Sequence, residues 1–230
     1  VVSASAAFIT TSVMEGFGQS FREGWVAGRP VLGRRLEGPC RDFETAGVNL
    51  AHLYDRMLVD PDWLEGGLER VKEAYRANLS KLRSELGFPP LDDSYFEQEF
   101  NLHKTFRANR GGTLVDFGDL SPAMQSEIID SACSRKEKIL SRVIELNPAL
   151  KDWEKFIAGR KRNLVKKNRS AVASSFGPEV KARRLRTIIL SAAARIQEKS
   201  HDDLQVDRPR SVESLLAETV SVKSTRLLYY

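Results

Sequence analysis

Residues 6–26 read AAFITTSVMEGFGQSFREGWV, and this stretch decides the fold. Its opening part is apolar and β-branched, which predicts a buried strand over Ala6–Ser12. Its closing part sets Phe21, Trp25 and Val26 on one side of a helix predicted over 18–28. The EGFG between them is a tight turn whose glycines let backbone approach a ligand. Gly28 suits the carboxyl cap of that helix, Pro30 blocks its continuation, and Pro30–Leu32 is the next strand. Strand, turn, helix and strand build an open α/β sheet, which keeps its ligand site at the strand-to-helix turn.

That turn carries two carboxylates, Glu15 and Glu23, eight positions apart. A helix N-terminus favours an anion such as phosphate, so acids beside it do not serve to grip phosphate themselves. They suit hydroxyl donors, in which sugar and ribose rings are rich. An ionised carboxylate accepts from two vicinal hydroxyls, each such bond being worth about 1.5–3 kcal/mol. With a turn of helix between them, two acids span the ends of one nucleotide-sugar.

The remaining chain is mostly helical by pattern. LVDPDW at 58–63 runs from a strand end or loop into a helix, with Asp60 or Asp62 as cap. From Trp63 to Leu86, apolar residues recur at spacings of three and four until GFPPLDD stops them. Helices are predicted over 94–108, from Pro122 to about Leu146, from NPALKDW to about Ser175, and over 179–199, with a short strand at 113–117. HDDLQVDRPRS is a polar linker, and Ser211–Tyr230 is a final helix or tail.

The chain has 230 residues, of which 41% are apolar, enough for one large core or two small ones. Its charge is unevenly spread: Lys151–Lys199 holds fourteen basic and four acidic residues, about +10 by difference, while the first 150 residues are net negative. Cys40 and Cys133 share no spacing pattern, which fits a reducing cytoplasm better than a disulfide framework. No apolar run approaches the roughly 20 residues a membrane span needs, and no leader of the signal-peptide kind is present. Because a core strand follows Val1 so closely, we expect further chain upstream.

At this point the residues resemble a known family. Glu15-Gly16-Phe17-Gly18 followed by Glu23 is similar to the E-x7-E motif of retaining nucleotide-sugar glycosyltransferases of the GT-B fold, of the family-4-like group. EGWVAGRPVLGRRLEGPCRDF resembles the continuation of that motif, LVDPDWLEGGLERV the segment after it, and KNRSAVASSFGPEVKARRLRTIIL the weak closing pattern. The resemblance is good over 6–65, thin over 160–190 and absent between.

It implies that Glu15 lies against hydroxyls of the donor sugar as the residue at the catalytic centre. It implies that backbone N–H groups of Gly16, Phe17 and Gly18 reach the sugar or diphosphate, and that Glu23 holds the ribose hydroxyls. It implies no cofactor and no metal: the donor, linked to UDP, GDP or ADP, is a substrate. The diphosphate-binding Arg and Lys and the acceptor domain of the family lie upstream of the motif, so this chain alone is expected to be inactive. Gln19-Ser20 departs from the family's frequent Leu-Pro, and Gly24-Trp25 from a small-residue pair.

The expectation is therefore an α/β fold, the Rossmann-like half of a GT-B enzyme incomplete at its N-terminus, followed by a mostly α-helical region. Residues 1–62 form the donor-binding part, 63–150 a helical insertion, 151–200 basic helices packing back on the domain, and 201–230 a linker and tail. The activity is transfer of a hexosyl group to an acceptor hydroxyl with retention. The alternative is a non-catalytic sugar-nucleotide-binding module, or a basic module for a membrane surface.

Arg29, Arg34 and Arg35 are read as solvated or paired with Glu37 and Asp42. His52, His103 and His201 lack metal-ligand spacing, Cys40 has no histidine partner, and Ser20 lacks a nucleophile-elbow frame. GRKRNLVKKNR at 159–169 reads as a solvated basic helix face, with an anionic membrane surface as its functional alternative and cytoplasmic, membrane-peripheral placement to match. Trp153, Phe156 and Phe176 fall on the apolar side of these helices and read as core, so no nucleic-acid partner is expected.

Overall fold

A computed structural model describes residues 4–14, 18–108, 111–134 and 136–198. In chain order the elements are β1 (Phe8–Thr10), α1 (Gln19–Val26), β2 (Val31–Gly33), α2 (Glu37–Thr45), β3 (Leu58–Val59), α3 (Gly67–Glu85), α4 (Asp93–His103), β4 (Phe106–Arg107), β5 (Thr113–Asp116), α5 (Pro122–Ser134), α6 (Lys136–Leu146), α7 (Leu150–Ile157), α8 (Arg162–Phe176) and α9 (Pro178–Glu198). The fold is mixed α/β with short strands. The described residues form two compact units, one within Val1–Asp55 and Ala149–Pro209, the other within Arg56–Pro148.

In the first unit β1 and β2 are parallel, with Phe8 opposite Val31 and Thr10 opposite Gly33. Tyr54 adds a third parallel rung by bridging to Arg34. Parallel neighbours need a crossover, and α1 supplies it. Phe21 and Trp25 of α1 are fully buried, a contribution of about 2–3 kcal/mol each. Gly24 lets the helix lie flat on the strands, since a Cβ there would stand 2.4 Å from Val31 Cγ2 and 3.2 Å from Phe8 Cβ. The Gly24-Trp25 pair thus divides two tasks, close approach and volume. Phe156, Val165 and Val172 of α7 and α8 complete this core, with Trp153 and Phe176 packed beside them.

Two polar groups inside the first unit are held by geometry. Asn168 is fully buried. Its amide nitrogen donates to the Asn49 carbonyl at 2.9 Å while its oxygen accepts from the Asn49 N–H at 2.9 Å. His52 stands 4.3 Å from the Phe156 ring and 5.7 Å from the Trp25 ring. Its Nε2 lies 2.8 Å from the Val31 carbonyl, which can only accept, so Nε2 carries the proton. Burial holds the His52 pKa below its ordinary value, more than the Val31 contact and the distant Asp152 raise it.

The second unit has a three-stranded antiparallel sheet in the order β3-β5-β4. Val71, Tyr75 and Leu79 of α3, Phe96 and Phe100 of α4, and Met124 and Ile128 of α5 cover it. The first turn after β3 is capped by Asp60, which accepts from the Asp62 N–H at 3.1 Å, and α4 by Asp92, which accepts from Tyr95 at 3.0 Å. Asn147 repeats the device of Asn168: its oxygen accepts from the Leu58 N–H at 2.7 Å and its nitrogen donates to the Leu58 carbonyl at 2.8 Å. Lys104 is buried, and its ammonium lies 3.1 Å from Asp119 Oδ2 and 5.1 Å from the Tyr75 ring centre.

Several expectations need correction. The strand expected over 6–12 is only three residues long, and Ile9 in it is exposed. Helix α2 was not expected: only Cys40 and Phe43 are buried in it, too few for a periodic signal. Pro39 falls in its first turn, where the missing N–H has no intrahelical partner to lose. The helix expected over 94–108 stops at His103 because Phe106 pairs with Leu114 in the sheet. Of the helix expected over 122–146, the described residues form α5 (Pro122–Ser134) and α6 (Lys136–Leu146). The region expected as a helical insertion holds the short strand expected at 113–117 as β5 and also an unexpected strand, β4, and the unit boundaries fall before residues 62 and 150. The linker and tail expected over 201–230 lie outside the described residues.

Candidate functional site

The carboxyl ends of β1 and β2 lead into α1 and α2, so both helix N-termini open on one edge of the parallel strands. Gly18 is the N-cap of α1, with φ 59° and ψ 33°. Only glycine takes this left-handed conformation readily. Space demands it too: a Cβ at Gly18 would stand 2.8 Å from Pro39 Cβ and 3.1 Å from the Phe43 ring. The backbone at the start of α1 is therefore flush against the first turn of α2. The amino ends of the two helix dipoles come together here, an electropositive edge suited to an anion.

A cleft of about 240 Å³ lies along this edge, lined by Gln19 and Arg22 of α1, Gly38 and Asp42 of α2, and Phe176 and Lys181 from the chain's later helices. Glu23 is exposed on the face of α1 that carries Gln19 and Arg22, opposite the buried Phe21, Gly24 and Trp25. A carboxylate one turn into the helix, on its open side, is free to accept hydrogen bonds from a ligand lying across the helix start. Of the five expected site residues, the structure describes Gly18 and Glu23. Glu15, Gly16 and Phe17 lie outside the described residues.

Two cleft residues escaped the sequence reading. Arg22 had a signal available, since it follows Gln19 by three on the same helix face. Lys181 had none: it reaches the cleft because Phe176, before the start of α9, packs on Phe43 with ring centres 5.0 Å apart. Two of the arginines flagged near the motif, Arg34 and Arg35, are engaged elsewhere. Arg35 pairs with Glu44 at 2.6 Å and lies 3.7 Å from Asp55. The hydrogen bond to Glu44 holds the Arg35 pKa above its ordinary value and that of Glu44 below. Arg34 is buried with its guanidinium 5.8 Å from the Tyr54 ring centre, and Glu37 pairs with Arg41 one turn on. Glu37 and Asp42 are thus not the partners of Arg34 and Arg35 that the sequence suggested.

Among the described residues, no helix is long and apolar enough to cross a membrane. The chain matches no protein-family model, no curated protein and no solved structure, so the reading of the site rests on its own geometry.

Proposed function

We propose that the chain binds a nucleoside-diphosphate sugar at the carboxyl edge of β1 and β2 and serves a retaining glycosyl transfer to an acceptor hydroxyl. The observation that carries this reading is the approach of the α1 and α2 N-termini at Gly18, with exposed Glu23 one turn along α1. In this reading Glu23 accepts from the ribose hydroxyls. The N–H groups at the start of α1, with Arg22 beside them, face the diphosphate. Glu15 takes hydroxyls of the sugar, and backbone N–H groups of Gly16 and Phe17 donate to the sugar or diphosphate. The catalytic contribution of these groups is stabilisation of the departing diphosphate by dipole and cation, the kind of preorganised electrostatics that lowers such barriers most.

Calorimetric titration with UDP, GDP and ADP tests it. One of the three binds, and Glu23→Ala weakens that binding by about 2 kcal/mol, roughly thirtyfold, because two charge-assisted hydrogen bonds are lost. Binding of none of the three, or affinity indifferent to Glu23→Ala, overturns the reading. A non-catalytic basic module is the rival, supported by the cations of α8. It predicts binding that ignores Glu23 and falls steeply with salt.

A further inference from the structure

At the amino edge of the same two strands lies a larger cavity of about 520 Å³. Its cationic lining is Arg29, from the α1–β2 turn, with Lys161, Arg162, Lys166 and Arg169 of α8 and its N-cap. Phe156 and Val165, both buried, and Pro30 supply an apolar floor. Among the described lining residues there is no carboxylate.

The arrangement is locally unfavourable. Arg162, Lys166 and Arg169 follow one another at spacings of four and three, on one helix face, where like charges repel. Lys161 and Arg162 also stand at a helix N-terminus, the end that disfavours cations, and the first turn of α8 holds no acid. A sequence shaped for stability alone places acids there.

Two glycines set the guanidinium groups. Gly28 and Gly159 follow α1 and α7 with φ 69° and 73°. A Cβ at Gly28 would lie 3.5 Å from Arg169 Nη1, and one at Gly159 would lie 3.3 Å from Arg162 Nε. Each guanidinium therefore lies against bare backbone at the cavity wall.

We propose that this amino-edge cavity is a second site, which binds the phosphate or diphosphate group of an ester whose organic stem lies on the Phe156–Val165 floor. Guanidinium pairs take phosphate oxygens bidentately, and the cavity is large enough for a stem beyond the anion. The phosphate comes either from a soluble ester or from a lipid headgroup. The site is independent of the donor cleft, which lies at the other end of the strands.

Inorganic pyrophosphate is the first probe and phosphatidylcholine vesicles, with and without phosphatidic acid, the second. R162A/R169A removes two cations. A158W fills the cavity without changing charge. R184A/R186A removes two exposed cations of α9, and all are checked for helical content. Pyrophosphate affinity is expected to fall roughly tenfold or more in R162A/R169A and in A158W, and to stay within about twofold in R184A/R186A. A lipid source adds co-sedimentation with phosphatidic acid vesicles that pyrophosphate displaces; a soluble source leaves the chain in the supernatant. Equal losses in R184A/R186A, as for a diffuse nucleic-acid-binding surface, overturn the site. So does binding that A158W and R162A/R169A leave intact, including binding lost only with Arg22→Ala, which would place pyrophosphate in the carboxyl-edge cleft. Absence of binding to either probe by the folded chain overturns it as well.

Discussion

The two units place their basic side chains differently. In the second, Lys72 stands 3.0 Å from Glu97 and 3.3 Å from Glu69, Arg70 meets Glu127 at 2.7 Å, Arg76 meets Glu97 at 2.9 Å, and Lys104 meets Asp119 at 3.1 Å. In the first, Arg35 is held by Glu44 in the same manner, yet four cations of α8 and its N-cap line a cavity without a carboxylate among its described lining residues. A cation beside a fixed acid belongs to the fold, since removing it strands a charge. A cation gathered with others of its own sign is tolerated by the fold and is available to an anion from outside.

The largest test of that contrast compares removal of cations from each unit. Lys104→Ala leaves Asp119 without its ammonium and is expected to cost about 3 kcal/mol or more in urea unfolding. Hydrogen exchange should place the loss in α3, α4 and β5. R162A/R169A, by contrast, is expected to shift stability by less than about 0.5 kcal/mol, since it removes only exposed like charges. If the double variant unfolds as readily as Lys104→Ala, the contrast is wrong and the α8 cations are structural.

The next test concerns a device the units share. Asn168 and Asn147 each pair with both backbone groups of one distant residue, Asn49 and Leu58 respectively. Replacing either with Ala leaves a backbone N–H and carbonyl unsatisfied, at about 2–3 kcal/mol. Asn168→Ala should loosen amides of α8 and the loop at Asn49, and Asn147→Ala those of β3 and α6. A loss common to both units in either variant would dissolve the distinction between them.

The smallest effect is a pH dependence arising in the first unit. Burial holds His52 below its ordinary pKa of 6.5, so below that pH the unfolded chain binds a proton the folded chain refuses. Stability then rises with pH, and it is lost as pH falls from about 6.5 toward the lower folded value. His52→Gln keeps a donor for the Val31 carbonyl and should flatten the contribution. Urea unfolding at pH 7.5 and pH 5.0, as approximate endpoints of that window, reads it; an identical slope in both proteins removes His52 as the cause.

What was legible in the sequence followed near neighbours. The apolar spacing of Phe21 and Trp25, the run from Leu68 to Leu79 in α3, and the caps at Asp60 and Asp92 all depend on residues within one or two helical turns. Part of the candidate site was legible for the same reason: Gly18 and Glu23 belong to one turn and the helix it starts. Helix α2 was not legible, because two buried residues make no periodic pattern. The length of β1 was not either, because β-branched residues mark a strand without saying whether both of its edges are paired.

By itself, then, the sequence determined the strand–turn–helix–strand order at the front of the chain, its glycine turn and the charge imbalance of α8, since composition and local periodicity act through adjacent residues. Tertiary structure alone decided which distant cations meet carboxylates, that Asn168 finds Asn49 across 119 positions and Asn147 finds Leu58 across 89, and that Lys181 comes to the carboxyl-edge cleft. Those choices depend on which faces the packed cores bring together, and no nearest-neighbour preference encodes a partner so far along the chain.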